Sequence, residues 1–237
     1  MKILALETSA KAVSCAVVAD GTPAASAWQN SGLTHSRTLM PMVEAMLENS
    51  ELKLEDMDAI AVAAGPGSFT GLRIGVSAAK GLAWALNKPC VAVSTLEGMA
   101  RPMAHAKGIL VCAMDARRQQ VYNALFRADG ERLTRLCPDR ALSLEELAAE
   151  LRQYSEPLIV LGDGAELCFR HMTENAIPCT LAPPHLRQQS AVGVGMAAEE
   201  MAQAGSLLSA QELKPNYLRL SQAERERLAK GLSLTVD

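Results

Sequence analysis

The segment Gly65-Pro66-Gly67-Ser68-Phe69-Thr70-Gly71-Leu72-Arg73-Ile74-Gly75 constrains this chain more than any other. It follows an apolar run, Ala59 to Ala64, that reads as a buried strand. It leads into Val76 to Leu86, which reads as a helix. A strand, a glycine-rich turn and a helix start bring backbone N–H groups to one point, where they can meet an anion or another stretch of backbone. The spacing is neither the Walker pattern nor the dinucleotide fingerprint. Gly65 and Gly67 are thus candidates for phosphate contact or parts of a tight turn. Ser68 is the expected N-cap, with Thr70 as the alternative.

Gly71, Gly75, Ala79 and Ala83 are four apart and share one helix face. Glycine inside a helix costs about 0.8–1.0 kcal/mol relative to alanine, so Gly75 and Gly81 need a reason. One is close packing on the chain's own sheet. The other is approach by another helix or chain, which would make Gly71, Gly75, Ala79 and Leu82 contact residues. Earlier, Leu39, Met42, Val43, Met46 and Leu47 follow the three-and-four spacing of an amphipathic helix. Pro41 either sits in its first turn or kinks it. Such a stripe is core, and Met-rich stripes also suit surfaces that repack against partners.

The opening of the chain recurs. Ile3 to Leu6 reads as a strand ending at Glu7, then a polar turn with Thr8 and Ser9, then a strand from Val13 to Val18 and a hairpin signal at Asp20-Gly21. Val111 to Asp115, the turn after it, Val121 to Phe126 and Asp129-Gly130 repeat that order. Cys90 to Val93 and Leu158 to Leu161 read as further strands, the latter running into Gly162-Asp163-Gly164. Ser143 with Glu146 forms a capping-box start, Pro183-Pro184 a loop, Ser190 to Ala204 a helix stopped by Gly205, and 223–230 a solvated helix or tail. Strands alternating with helices around a doubled hairpin predict an α/β fold of two related lobes, 1–104 and 105–237, with C-terminal helices able to pack back on the first.

Nearly half of the 237 residues are apolar, so a sizeable core can form. The net charge of −3 gives no general pull toward nucleic acid, although Arg117-Arg118 or Arg219 could belong to a local basic patch. Only eight aromatic residues are present, too few for a sequence-specific base-stacking platform. No two of the six cysteines have zinc spacing, and they read as buried thiols. The N-terminus turns polar too soon for a signal peptide, and no apolar run reaches bilayer length. The expectation is a cytoplasmic protein with no membrane contact.

These segments resemble the bacterial TsaB (YeaZ) family. The resemblance rests on Ile3 to Ser9, Gly65 to Gly75, Pro89, Val93 to Glu97, Met114 to Arg117 and Pro215 to Arg219. It implies an actin-like fold of the sugar kinase and Hsp70 superfamily. It also implies a role in making threonylcarbamoyladenosine at position 37 of tRNA, as a non-catalytic scaffold or activator of the transferase TsaD, together with the ATPase TsaE. In that family the first two helices contact TsaD, which marks Leu39, Met42, Val43 and Met46 with the glycine-helix face, and the chain alone would form a homodimer. TsaD-like proteins carry a metal-binding His-x-x-x-His, whereas this chain has Thr95 and Met99. No catalytic or metal residue is therefore assigned. Thr8, Ser9, Gly65 and Gly67 remain candidates for a phosphate or for turn structure, ATP or ADP would bind only at the joint with TsaD, and tRNA would be met through the complex. The alternative is a free-standing ATP-hydrolysing or metallopeptidase-like enzyme, motivated by the glycine loop and Glu7.

Overall fold

The computed structural model describes residues 1–219, and the expected charged stretch at 223–230 lies outside them. The first sheet holds β1 (Lys2–Glu7), β2 (Val13–Ala19), β3 (Thr22–Gln29), β4 (Ala59–Gly65) and β5 (Cys90–Ser94), in the order β3-β2-β1-β4-β5. The second holds β6 (Lys107–Asp115), β7 (Gln120–Asp129), β8 (Leu133–Arg135), β10 (Leu158–Leu161) and β11 (Thr180–Leu181), in the order β11-β10-β6-β7-β8, with β9 (Arg140–Ser143) also on β7. Each sheet opens with an antiparallel hairpin whose first strand then pairs in parallel with a later one. With β9 set aside and the strands counted within each lobe, the order is third, second, first, fourth, fifth both times. This is the doubled, actin-like arrangement.

Both faces of the first sheet are covered over β1, β2, β4 and β5, which is why these strands are almost continuously apolar, while the edge strand β3 is largely exposed. Leu4, Leu6, Cys15 and Val17 face α1 (His35–Asn49) and α2 (Phe69–Leu86). Ile3, Ala5, Ala16, Ala59, Ala61 and Ala63 face α7 (Ala191–Gln203), a helix from the second half of the chain. Small side chains on the sheet let α7 come close. Gly193 lies against the Gly98 carbonyl of α3 (Thr95–Ala100), where a Cβ would not fit. Pro41 stands inside α1, beyond its first turn, and the helix continues to Asn49. In the second lobe, α4 (Leu144–Leu151) starts at the capping box of Ser143 and Glu146, and α5 (Ala165–Glu174) covers the sheet beside it. The expected loop at Pro183-Pro184 contains a single helical turn, α6 (Pro184–Arg187).

Two features tie the lobes together. Glu97 of α3 pairs with Arg101 at 3.4 Å and with Arg135 of β8 at 2.8 Å, and Arg101 reaches Glu200 of α7 at 2.6 Å. The segment after α7 forms a strap. Leu208 bridges Cys90, Leu213 is fully buried in the first lobe, the Asn216 N–H donates to the Ala64 carbonyl at 2.6 Å, and Arg219 Nη1 donates to the Ala116 carbonyl of the second lobe at 2.6 Å.

Candidate functional site

The two hairpin turns and the two glycine turns converge where the lobes meet. Glu7 ends β1 with 1% of its surface exposed, and its Oε1 accepts the Ser9 N–H at 2.5 Å. Burial pushes its carboxyl up to about 7, against the pull of the Ser9 N–H hydrogen bond and with a small push from Asp163. Asp163, in the turn after β10, is also raised by burial, while Gln189 Nε2 donates to its Oδ1 at 2.8 Å. The Gln189 carbonyl accepts from Trp28 Nε1 at 3.1 Å. Ser9 Oγ and Gln189 Oε1 are buried without a hydrogen-bond partner among the described residues. Asp115, which matches Glu7 in the second hairpin, is exposed instead, and its Oδ1 accepts the Arg117 N–H at 2.7 Å.

The glycine loop meets backbone. The Ser68 N–H donates to the Ser9 carbonyl at 2.7 Å, and a Cβ on Gly67 would stand 2.6 Å from that same oxygen. Thr8 Oγ1 donates to the Gly71 carbonyl at 2.7 Å. Gly71 and Gly75 leave no room for a Cβ because the Thr8 carbonyl and hydroxyl fill it. Gly65 has φ +131°, which side chains rarely adopt, and Asn216 of the strap lies over it. Ser68 is the N-cap, accepting from Gly71 N–H at 3.3 Å, so the helix begins at Phe69 rather than at Val76. The close approaches made possible at Gly65 and Gly67 are taken up by Asn216 and Ser9, as the tight-turn alternative expects. Thr8 and the Ser9 backbone are likewise engaged in turn contacts, while Ser9 Oγ is not.

The expected contact face changes. Leu39, Val43 and Met46 are buried against the first sheet, as are Gly71, Gly75 and Ala79. The small-residue face is used up by the chain's own β1 turn and β4, so it is closed to a second chain. Met42 and Leu82 remain partly exposed at the edge of that cluster. The outward side of α2 carries Ser77, Gly81, Trp84 and Ala85. A Cβ on Gly81 would meet nothing, and Trp84 is 68% exposed. Thr95 and Met99 lie in α3, both buried, with Met99 packed in the apolar cluster around Leu96 and Phe126. Among the described residues no three His, Cys, Asp or Glu side chains group as a metal site. His35 spends Nε2 on the Ala10 carbonyl at 2.7 Å. All six cysteines are free thiols, four of them buried.

Sequence reasoning did not anticipate Asp163 and Gln189 at the seam, or Tyr217 and Arg219 over the loops. The Gly162-Asp163-Gly164 turn was a visible signal, because it follows a strand in the second lobe as Gly65 to Gly67 does in the first. Gln189 has no local signature. No helix of the described residues is long and apolar enough to cross a membrane.

Comparison with known proteins adds to this geometry. Residues 30–226 match the family described as "TsaD: tRNA N6-adenosine threonylcarbamoyltransferase". The Bacillus subtilis protein named "tRNA threonylcarbamoyladenosine biosynthesis protein TsaB" is 34% identical over 94% of this chain and 96% of its own length. The Escherichia coli protein of the same name is 35% identical over 69% of this chain and 72% of its own. Among solved structures, YeaZ from Pseudomonas aeruginosa superposes with a TM-score of 0.79 at 28% identity, covering 92% of this chain and 99% of that one.

Proposed function

This chain belongs to the TsaB (YeaZ) family, within the wider family that includes the threonylcarbamoyltransferases, and it therefore has a role in tRNA threonylcarbamoyladenosine biosynthesis; from that premise we propose that it is a non-catalytic scaffold and activator of the transferase TsaD. The observation that carries the reading is the pair Thr95 and Met99. At the positions where a TsaD-like sibling would place two imidazoles, this chain has one hydroxyl and one thioether, both sealed in packing. A borderline metal needs converging nitrogen, oxygen or sulfur donors. The rival reading as a free-standing enzyme leans on the glycine loop and Glu7, and both are engaged with the chain's own backbone.

The contact surface proposed for TsaD is the outward side of α1 and α2, with Met40, Met42, Leu82, Trp84 and Gly81. Gly81 supports it. Its helix penalty has no offset inside the chain. A partner helix approaching there would supply one. The same surface would serve the homodimer when the chain is alone, TsaE would join the pair, and ATP or ADP would sit at the joint with TsaD. Binding would act by shifting TsaD toward its active conformation. The complex would work in the cytoplasm. The test is reconstituted tRNA modification by TsaD and TsaE with and without this chain, alongside gel filtration of the mixture. A stable complex and a large gain in modification are expected. No complex and no gain would remove the reading.

A further inference from the structure

Four arginines from separate parts of the chain are strung along one line of contacts at the mouth between the lobes. Arg73 of α2 lies over the Phe69 ring at 3.9 Å, and its Nε donates to the Tyr217 hydroxyl at 3.1 Å. Tyr217 stacks on Phe69 with centroids 4.5 Å apart. Two residues on, Arg219 is held on the Ala116 carbonyl. Ala116 leads directly into Arg117 and Arg118 at the tip of the β6–β7 hairpin, and both are exposed. Among the described residues, none of the four forms an ion pair, a state they share with Arg37, Arg132, Arg152 and Arg170; what sets them apart is their placement together at this mouth. The one carboxylate on the hairpin tip is Asp115, already accepting the Arg117 N–H.

The hairpin tip holds a conformation that its residues do not favour. Arg117, Arg118 and Gln119 have φ of 63°, 57° and 58° in succession, in a left-handed region that non-glycine residues rarely occupy even singly. Such backbone persists only where surrounding structure over-determines it. Here the Asp115 carboxylate fixes one side and Arg219 the other. The Arg117 and Arg118 side chains make no hydrogen bond among the described residues, so the tip offers two guanidiniums outward from an ordered backbone. Unpaired guanidiniums beside a stacked aromatic pair are the donors that read a phosphate backbone without reading its bases. With a net charge of −3 over the whole chain, that attraction has to come from a local patch.

We propose that the β6–β7 tip and the strap, through Arg117, Arg118, Arg219 and Arg73, form a direct contact surface for the phosphate backbone of the RNA being modified. This rests on the role in tRNA modification proposed above and deepens it, since the chain would then touch the RNA itself as well as the transferase.

The test uses the full chain in its complex with TsaD and a fluorescent tRNA, titrated at several salt concentrations between 50 and 200 mM. The Arg117→Asn/Arg118→Asn double variant removes two cations while tolerating the left-handed backbone. At about 0.7–0.9 per lost phosphate contact, the slope of log affinity against log salt should become shallower by roughly 1.4–1.8, with affinity falling about ten- to fiftyfold at 100 mM. The Arg117→Lys/Arg118→Lys variant should restore most of both, which a purely structural role would not allow. An unchanged slope in the asparagine variant, with an unchanged melting temperature, overturns the proposal. So does weakened assembly with TsaD at an unchanged slope, which would make this surface a protein contact. If the parent chain forms no complex with TsaD, the scaffold reading fails on its own. The same titration on the chain alone then decides the RNA contact by the same two outcomes.

Discussion

Glu7 and Asp115 occupy the same place in two copies of one hairpin and meet opposite fates. The first carboxyl is enclosed by the other lobe, and the second stays in solvent. With its folded value at about 7, Glu7 holds a proton in the folded chain that it loses at ordinary acidity when unfolded. Between pH 4.5 and 7 the folded state therefore binds more protons, and stability falls as pH rises through that window, by about 3 kcal/mol in all if no other group moves. Asp163 is raised too and steepens the same trend. Glu7→Gln should flatten the slope and raise stability at pH 8, as read from urea midpoints at pH 5 and pH 8. An unchanged difference between the two midpoints would mean that the carboxyl is not buried as described. From the sequence, Glu7 was legible as a strand end, but not its burial. That depends on Asp163 and Gln189, which arrive from beyond residue 160 and carry no local mark.

At the level of the element, α2 carries both the success and the error of reading periodicity. The face with Gly71, Gly75 and Ala79 was visible from its four-residue spacing. Spacing says that small residues share a side without saying what lies opposite, and here Thr8 does. The next glycine, Gly81, points the other way into open space. Gly81→Leu should therefore raise the chain's own stability by about 0.5–1 kcal/mol through helix propensity. It should also weaken assembly with TsaD at least tenfold, checked by thermal melting and by titration of the complex. A more stable variant that still assembles as the parent does would show that α2 is not the contact. Strands and caps were more legible, because the continuous apolar run at Ile3 to Leu6 and the Ser143–Glu146 box act within a few residues. The residues of α7 announced a helix through Ser190 and Gly205. Nothing in them named the first sheet as their destination, because small residues fit any close packing.

For the whole molecule, the two lobes interlock despite their separate sheets. Helix α7 covers the first sheet from the second half of the chain, the strap buries Leu213 there, and Glu97 with Arg101 and Arg135 pins the hinge. Residues 1–104 expressed alone should therefore lack a cooperative heat transition and bind hydrophobic dyes, because the side with Ile3, Ala5, Ala61 and Val91 has lost its cover. A sharp melt from that fragment would contradict this packing. The doubled hairpin made the lobes foreseeable from sequence, since each is written in consecutive residues. That C-terminal helices could pack back on the first lobe was an expectation of the sequence, but which helix would make that crossing and the path of the strap were not legible, since they pair residues nearly the length of the chain apart.

That crossing also sets an order of events in the cell. The strands made first by the ribosome are among the last to be enclosed, since one side of β1 stays bare until residue 203 has emerged. Throughout that interval the nascent chain presents an alanine- and isoleucine-lined sheet to whatever chaperone attends the exit tunnel.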